Sequence, residues 1–146
     1  MSLRYPFQQP PGAGQTVSIT PDIKWLRSPL PLSLNHINCY LLRDQNAAGE
    51  QGWCILDTGM NGDAAKQQWL DVIESQLEGD PITRVIVTHH HPDHHQHAPD
   101  LARELGLPIY LSQDCYQRIL GKFQQDYFHG VEIKILYEED LVTRWH

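Results

Sequence analysis

The chain has 146 residues and a formal net charge of −7, with 40% of the residues hydrophobic and 20% charged. That is one domain's worth of polypeptide, long enough to bury a core, with the composition of an ordinary soluble globular protein. The acidic balance, with no basic stripe anywhere, excludes a nucleic-acid backbone as partner, and no apolar run approaches a membrane span.

Residues 1–15 carry Pro6, Pro10, Pro11, Gly12 and Gly14, and are expected to form a flexible arm ahead of one domain over 16–146. Met1-Ser2-Leu3-Arg4 is not followed by the apolar run expected of a secretory h-region. Val17-Ser18-Ile19-Thr20 and Ile23-Lys24-Trp25-Leu26-Arg27 alternate as strands, and Pro29 and Pro31 predict a loop after them. Ile37 to Leu42 and Gln51 to Leu56 are the next strands, joined as an antiparallel hairpin through the polar stretch Arg43 to Glu50.

The period changes after Gly59. Ala65, Trp69, Val72, Ile73 and Leu77 recur at helical spacing, with Asn61 or Asp63 placed to cap the start and Gly79 and Pro81 marking the stop. Arg84 to Val87 is a short apolar strand. Pro99 to Leu105 reads as a second helix closed by Gly106-Leu107-Pro108, and Ile109-Tyr110-Leu111 as a strand. Ser112 can cap a third helix carrying Tyr116, Ile119, Leu120 and Phe123, and Val131, Ile133 and Ile135 alternate as a last strand. Antiparallel strands followed by strand–helix–strand units predict an α+β fold with helices packed on a mixed sheet. Cys39, Cys54 and Cys115 are odd in number and show no short-range pairing, so buried free thiols and a cytoplasmic location are the default expectation.

Between the strand at 84–87 and the second helix lies His89-His90-His91-Pro92-Asp93-His94-His95-Gln96-His97, with six of the nine histidines of the chain. Pro92 biases His91 away from helical angles, so the imidazoles leave the strand on a turn. Neutral imidazoles and a carboxylate packed this closely suit a borderline divalent metal, zinc first, with iron or manganese tolerated by the same mixed donors. His36, His129 and His146 are isolated and are expected at the surface.

His89, His91, Asp93 and His94 fill the pattern His-x-His-x-Asp-His, and Leu56-Asp57-Thr58-Gly59 stands upstream of it. Together they resemble the metal-binding signature of the metallo-β-lactamase superfamily, over roughly residues 16 to 137 and most strongly from 37 to 111. The resemblance implies an αβ/βα sandwich with metals at the sheet edges between its halves. This chain looks like the N-terminal αβ half plus part of the following segment, incomplete at its C-terminal end. It further implies that His89 and His91 hold a first metal ion and Asp93 and His94 a second, so one or two zinc ions are expected. Such ions lower the pKa of bound water toward neutrality for attack on a carbonyl or phosphoryl centre of a small-molecule substrate. Asp93 is then the expected catalytic residue, orienting the nucleophile or carrying a proton to the leaving group. Asp57 is expected to accept a hydrogen bond that fixes a ligand imidazole or the ligand turn, and Thr88 to brace the loop through its hydroxyl. Asn38-Cys39-Tyr40-Leu41 resembles the Asn-x-Tyr-Leu strand of glyoxalase II-like members, which favours the thioester and ester hydrolase branch.

Two departures from the family pattern matter. Gln96 stands where relatives usually have glycine, and its side chain must find room beside the turn. Relatives also supply a third histidine from a later Gly-His stretch, a bridging aspartate and a last histidine, whereas after residue 97 only His129 and His146 remain. A catalytic zinc takes three protein ligands plus water. The chain is therefore expected to be a metal-dependent hydrolase acting on an ester, thioester, lactone or related bond, with half of the site in hand. The alternative is a truncated noncatalytic metal-binding or interaction domain that needs another chain to complete the site. Half a sandwich leaves apolar sheet uncovered, which predicts self-association. His90, His95 and His97 fall outside the ligand pattern and are expected to be exposed or supporting.

Overall fold

Among the described residues, seven strands lie in one sheet whose spatial order is the order of the chain. They are β1 (Val17–Thr20), β2 (Ile23–Pro29), β3 (His36–Gln45), β4 (Gln51–Leu56), β5 (Ile82–Ile86), β6 (Ile109–Ser112) and β7 (Ile133–Leu136). The computed structural model describes residues 6–7, 9–30 and 36–137; Pro31 and His146 lie outside the described residues. Neighbours from β1 to β4 run antiparallel, and those from β4 to β7 run parallel. The change of sense follows from the connections. Short turns bring a strand back on itself, whereas each link after β4 contains a helix long enough to carry the chain over the sheet and start the next strand in the same direction. Those helices are α1 (Asp63–Ser75), the single turn α2 (Pro92–His95) with α3 (Ala98–Leu105), and α4 (Gln113–Lys122) followed by a 3-10 turn over Gln125–Phe128.

Alternation along the strands decides which face the helices cover. Leu26, Cys39, Leu41, Ile55, Val85, Ile109 and Leu111 share one face through the strand register and are wholly buried. Trp69 and Val72 of α1, Leu101 of α3 and Ile119 of α4 close over them in a single core. The opposite face carries Tyr40, Leu42, Leu56, Ile86, Tyr110 and Leu136, each half-buried. No helix among the described residues is long and apolar enough to cross a membrane.

Several expected boundaries shift for local reasons. The start of α1 is capped by the backbone at Gly62 and by neither Asn61 nor Asp63; the Asn61 side chain turns instead to His97. The hairpin loop is tighter than the polar run implied, because β3 continues to Gln45 and Asn46 alone closes the turn, accepting from the N–H groups of Ala48 and Glu50. β2 runs through Pro29, which pairs with His36 at the strand end where a missing N–H is tolerated. Ser112 accepts from the Cys115 N–H at 3.1 Å and starts α4, and Gly106 ends α3 in the left-handed conformation at φ 68°. The 3-10 turn had no signature in the sequence. Before β1, Thr16 donates from both its N–H and its hydroxyl to Gln76 Oε1 beyond the end of α1, and Pro11 and Gly14 are buried. Cys39, Cys54 and Cys115 are free and buried.

Candidate metal centre

β4 and β5 are parallel neighbours, with Leu56 opposite Ile86, so their C-terminal ends emerge side by side. Ligand sites in such sheets gather at these carboxyl edges. Asp57 leaves β4 with its N–H bonded to the Ile86 carbonyl at 2.9 Å and its backbone at φ 62°, in the left-handed region that aspartate tolerates better than most residues. Two residues on, Gly59 sits at φ 86°, and a Cβ there would stand 2.1 Å from Ser28 Oγ, so only glycine fits. β5 runs out through Val87 into Thr88 and the histidines. His91 is extended at ψ 135°, as a residue before proline must be, and Pro92 opens α2 without needing an N–H.

The two edges are stitched together. The Thr58 N–H donates to the His94 carbonyl at 2.9 Å, the His97 N–H to the Gly59 carbonyl at 3.1 Å, and the Asn61 N–H to Gln96 Oε1 at 3.1 Å. Gln96, the residue standing in place of a glycine, thus finds its room by reaching across to the Asp57–Asn61 loop. From below, Trp69 Nε1 of α1 donates to the Thr58 carbonyl at 2.9 Å. His97 is buried, with Nδ1 donating to Asn61 Oδ1 at 3.0 Å.

Asp57 is the centre of this arrangement and is only 6% exposed. Its Oδ1 accepts from the Thr88 N–H at 2.8 Å; its Oδ2 accepts from the Thr88 hydroxyl at 2.5 Å and from His94 Nδ1 at 2.8 Å. A carboxylate offers acceptors alone, so Nδ1 of His94 must carry the proton and Nε2 keeps its lone pair free. The same hydrogen bond holds the His94 imidazole above its ordinary pKa, against the opposing effect of its burial. His89 moves the other way. Burial and the neighbouring rings of His94 and His91 push its pKa down, which leaves its imidazole neutral and able to donate a lone pair.

Among the described residues, Asp57, His89 and His94 form a group whose ligand atoms all lie within 4.8 Å of one another. The His89 ring centroid is 3.9 Å from that of His94 and 4.7 Å from that of His91. Asp93 Oδ1 stands 3.9 Å from His94 Nε2. The four residues of the His-x-His-x-Asp-His pattern therefore crowd one corner, with His91 and Asp93 flanking the trio of Asp57, His89 and His94. Two imidazoles and a carboxylate fit a borderline divalent cation.

Histidines outside the pattern are not all at the surface. His95 is wholly buried and His97 nearly so, whereas His129 is exposed. Burial pushes the His95 imidazole down to about 4. Its Nδ1 meets the Tyr127 hydroxyl at 2.7 Å and its Nε2 the His90 carbonyl at 3.2 Å. Sequence reading missed this contact, and its one signal was the excess of histidine over what the ligand pattern requires.

A family model for the metallo-beta-lactamase superfamily matches residues 32–139. Among solved structures, a beta-lactamase domain protein from Burkholderia ambifaria is 34% identical, with a TM-score of 0.81 over 92% of this chain and 47% of that one. A metallo-beta-lactamase family protein from Thermus thermophilus is 30% identical, with a TM-score of 0.52 over 68% of this chain and 31% of that one. The metallo-beta-lactamase FIM-1 from Pseudomonas aeruginosa, in its mono-zinc form, shares the fold at 16% identity, with a TM-score of 0.56 over 85% of this chain and 51% of that one. No curated protein matches. The chain belongs to the metallo-beta-lactamase superfamily and has its mixed-sheet α+β fold. It spans about half or less of the length of these neighbours.

Proposed function

We propose that the chain carries the metal-binding corner of a metal-dependent hydrolase, with His89, His91, Asp93 and His94 as the residues that would hold one or two divalent ions. The carrying observation is the Asp57 carboxylate, which takes three hydrogen bonds and, by holding His94 Nδ1, leaves Nε2 as the free nitrogen, 3.9 Å from Asp93 Oδ1, in an imidazole grouped with His89. A bound zinc ion supplies Lewis acidity, which brings the pKa of water toward neutrality; iron or manganese suits the same donors. The remaining roles belong to the protein. Asp57 and Thr88 fix the imidazoles in direction and tautomer. Asp93, half-buried beside His94, is placed to accept the proton released from water and to return it to the leaving group through its carboxylate oxygen. The small-molecule substrates in view are esters, thioesters and lactones, with the thioester branch favoured by the glyoxalase II-like strand at Asn38–Leu41.

A second reading is supported by the donor count. Of the Asp57, His89 and His94 group among the described residues, Asp57 is taken up by hydrogen bonds from Thr88 and His94, which leaves two imidazoles as free donors there, whereas a catalytic zinc takes three protein ligands and a water. On that reading the chain binds metal without turnover until another chain completes the site. Elemental analysis and hydrolysis assays separate the two. The first reading expects bound zinc, with turnover of a generic thioester or lactone that stops on chelation and is absent in His89→Ala/His94→Ala. Bound zinc without turnover selects the second, and a folded wild-type protein that takes up no metal contradicts both.

A further inference from the structure

The His95 side chain lies on the wrong side of α2 to join the metal corner, yet it is wholly buried and both ring nitrogens are engaged. Its Nε2 faces the His90 carbonyl, a group that can only accept, so this nitrogen must donate. Nδ1 is then the acceptor, and the Tyr127 hydroxyl, 2.7 Å away, must donate to it. The hydroxyl has an alternative acceptor in the His95 carbonyl at 3.3 Å, but the shorter contact takes the proton. The resulting chain runs from the Tyr127 O–H to His95 Nδ1, and from His95 Nε2–H to the His90 carbonyl. That carbonyl belongs to the peptide between His90 and His91, in the middle of the turn that presents His89 and His91.

Tyr127 is itself fixed. Arg103 of α3 donates from its Nη2 to the Tyr127 carbonyl and from its Nε to the His129 carbonyl, each at 2.7 Å, and so clamps the C-terminal end of the 3-10 turn. The rings around His95 complete the setting, with Phe123 5.4 Å and Tyr127 5.6 Å away, both edge-on. We propose that His95 and Tyr127 are positioning residues, which lock the His90–His91 peptide through this hydrogen-bond chain and so preset the direction of the ligand imidazoles. Burying a polar ring inside an aromatic cluster is unfavourable unless both of its nitrogens are satisfied, and here the partners are a carbonyl of the ligand turn and a hydroxyl on a rigidly held element. The inference deepens the metal-centre reading and rests on it for its consequence, though the hydrogen-bond chain itself is tested without metal.

Two measurements keep these apart. In long-range nitrogen–proton NMR of the metal-free protein, His95 should be the neutral Nε2–H tautomer, and Tyr127→Phe, which keeps the ring and removes the hydroxyl, should shift its Nδ1 resonance. In competition with a chromophoric chelator, Tyr127→Phe should weaken zinc binding about fivefold and His95→Phe about tenfold, the size expected for losing a supporting hydrogen bond. His95→Gln, whose amide can still donate to the His90 carbonyl, should recover most of the affinity. A His95 proton on Nδ1, or zinc affinities equal to wild type in Tyr127→Phe and His95→Phe, would overturn the proposal. A wild-type protein that takes up no zinc overturns the metal reading and the positioning role together, while the NMR result still decides the hydrogen-bond chain.

Discussion

Asp57 does the most with a single side chain. Its two oxygens receive every proton that Thr88 can offer and one from His94, and its backbone occupies the left-handed region at φ 62° to do so. Asparagine would fit the same space, yet its amide nitrogen cannot accept; standing in place of Oδ2, it takes the acceptor from both the Thr88 hydroxyl and His94 Nδ1, and the His94 imidazole is freed to turn. Asp57→Asn should therefore weaken zinc affinity by about 10- to 100-fold and lower stability by about 1–3 kcal/mol for buried donors left unpaired. Zinc competition and denaturant unfolding of the metal-free protein measure the two effects separately. Equal affinity in Asp57→Asn would remove Asp57 from any supporting role. The choice of aspartate is legible in the sequence, because a metal corner demands particular side-chain chemistry close to Gly59. Its left-handed backbone is not, because that is imposed by the bond from its N–H to Ile86 in the neighbouring strand.

At the scale of elements, the site is a junction of two loops rather than a cavity cut into one. The loop after β4 and the turn after β5 exchange backbone bonds, with Gly59 pressed on Ser28 of β2 beneath them. Gly59→Ala puts a methyl carbon where Ser28 Oγ stands and asks alanine to hold φ 86°. A loss of about 2–4 kcal/mol is expected from overpacking and backbone strain together. Thermal unfolding checks it; a melting temperature within a degree of wild type would contradict the close approach. Strands and helices with a clear period were readable from the chain, as were the stop at Gly106 and the cap at Ser112, because those signals act within a turn of their own residue. The start of α1 was not readable, since Asn61 is drawn away by His97, 36 residues later in the chain. Nor was the 3-10 turn at Gln125–Phe128, which is held by an arginine from α3 bonded to its carbonyls. Contacts of that kind leave no local pattern.

Across the whole molecule the three thiols give the core a common pH response. Burial pushes Cys54 up to about 12 and Cys115 up to about 11 from an ordinary value of 9.0, and raises Cys39 as well. Each thiol is thus protonated in the folded chain at a pH where the unfolded chain has lost the proton. Folded pKa values raised above the unfolded ones mean stability that is complete below about pH 9 and declines as pH rises toward 11–12, by at most about 1.4 kcal/mol per pH unit and thiol. Urea unfolding of the metal-free protein between pH 8 and pH 11 should show that decline, and a thiol reagent at pH 8 should label no cysteine until urea is added. Prompt labelling of the native protein would contradict the burial.

The helix-covered face of the sheet sets the scaffold, and the carboxyl edges of β4 and β5 set the chemistry; the account stands on a cation resting where those edges meet. Diffraction from zinc-soaked crystals on either side of the zinc absorption edge locates such an ion directly. The account predicts an anomalous peak bounded by His89 and His94, with Asp57 behind it still bonded to Thr88. A peak only at His129 or another surface histidine, or none at saturating zinc with the loops ordered, would contradict it.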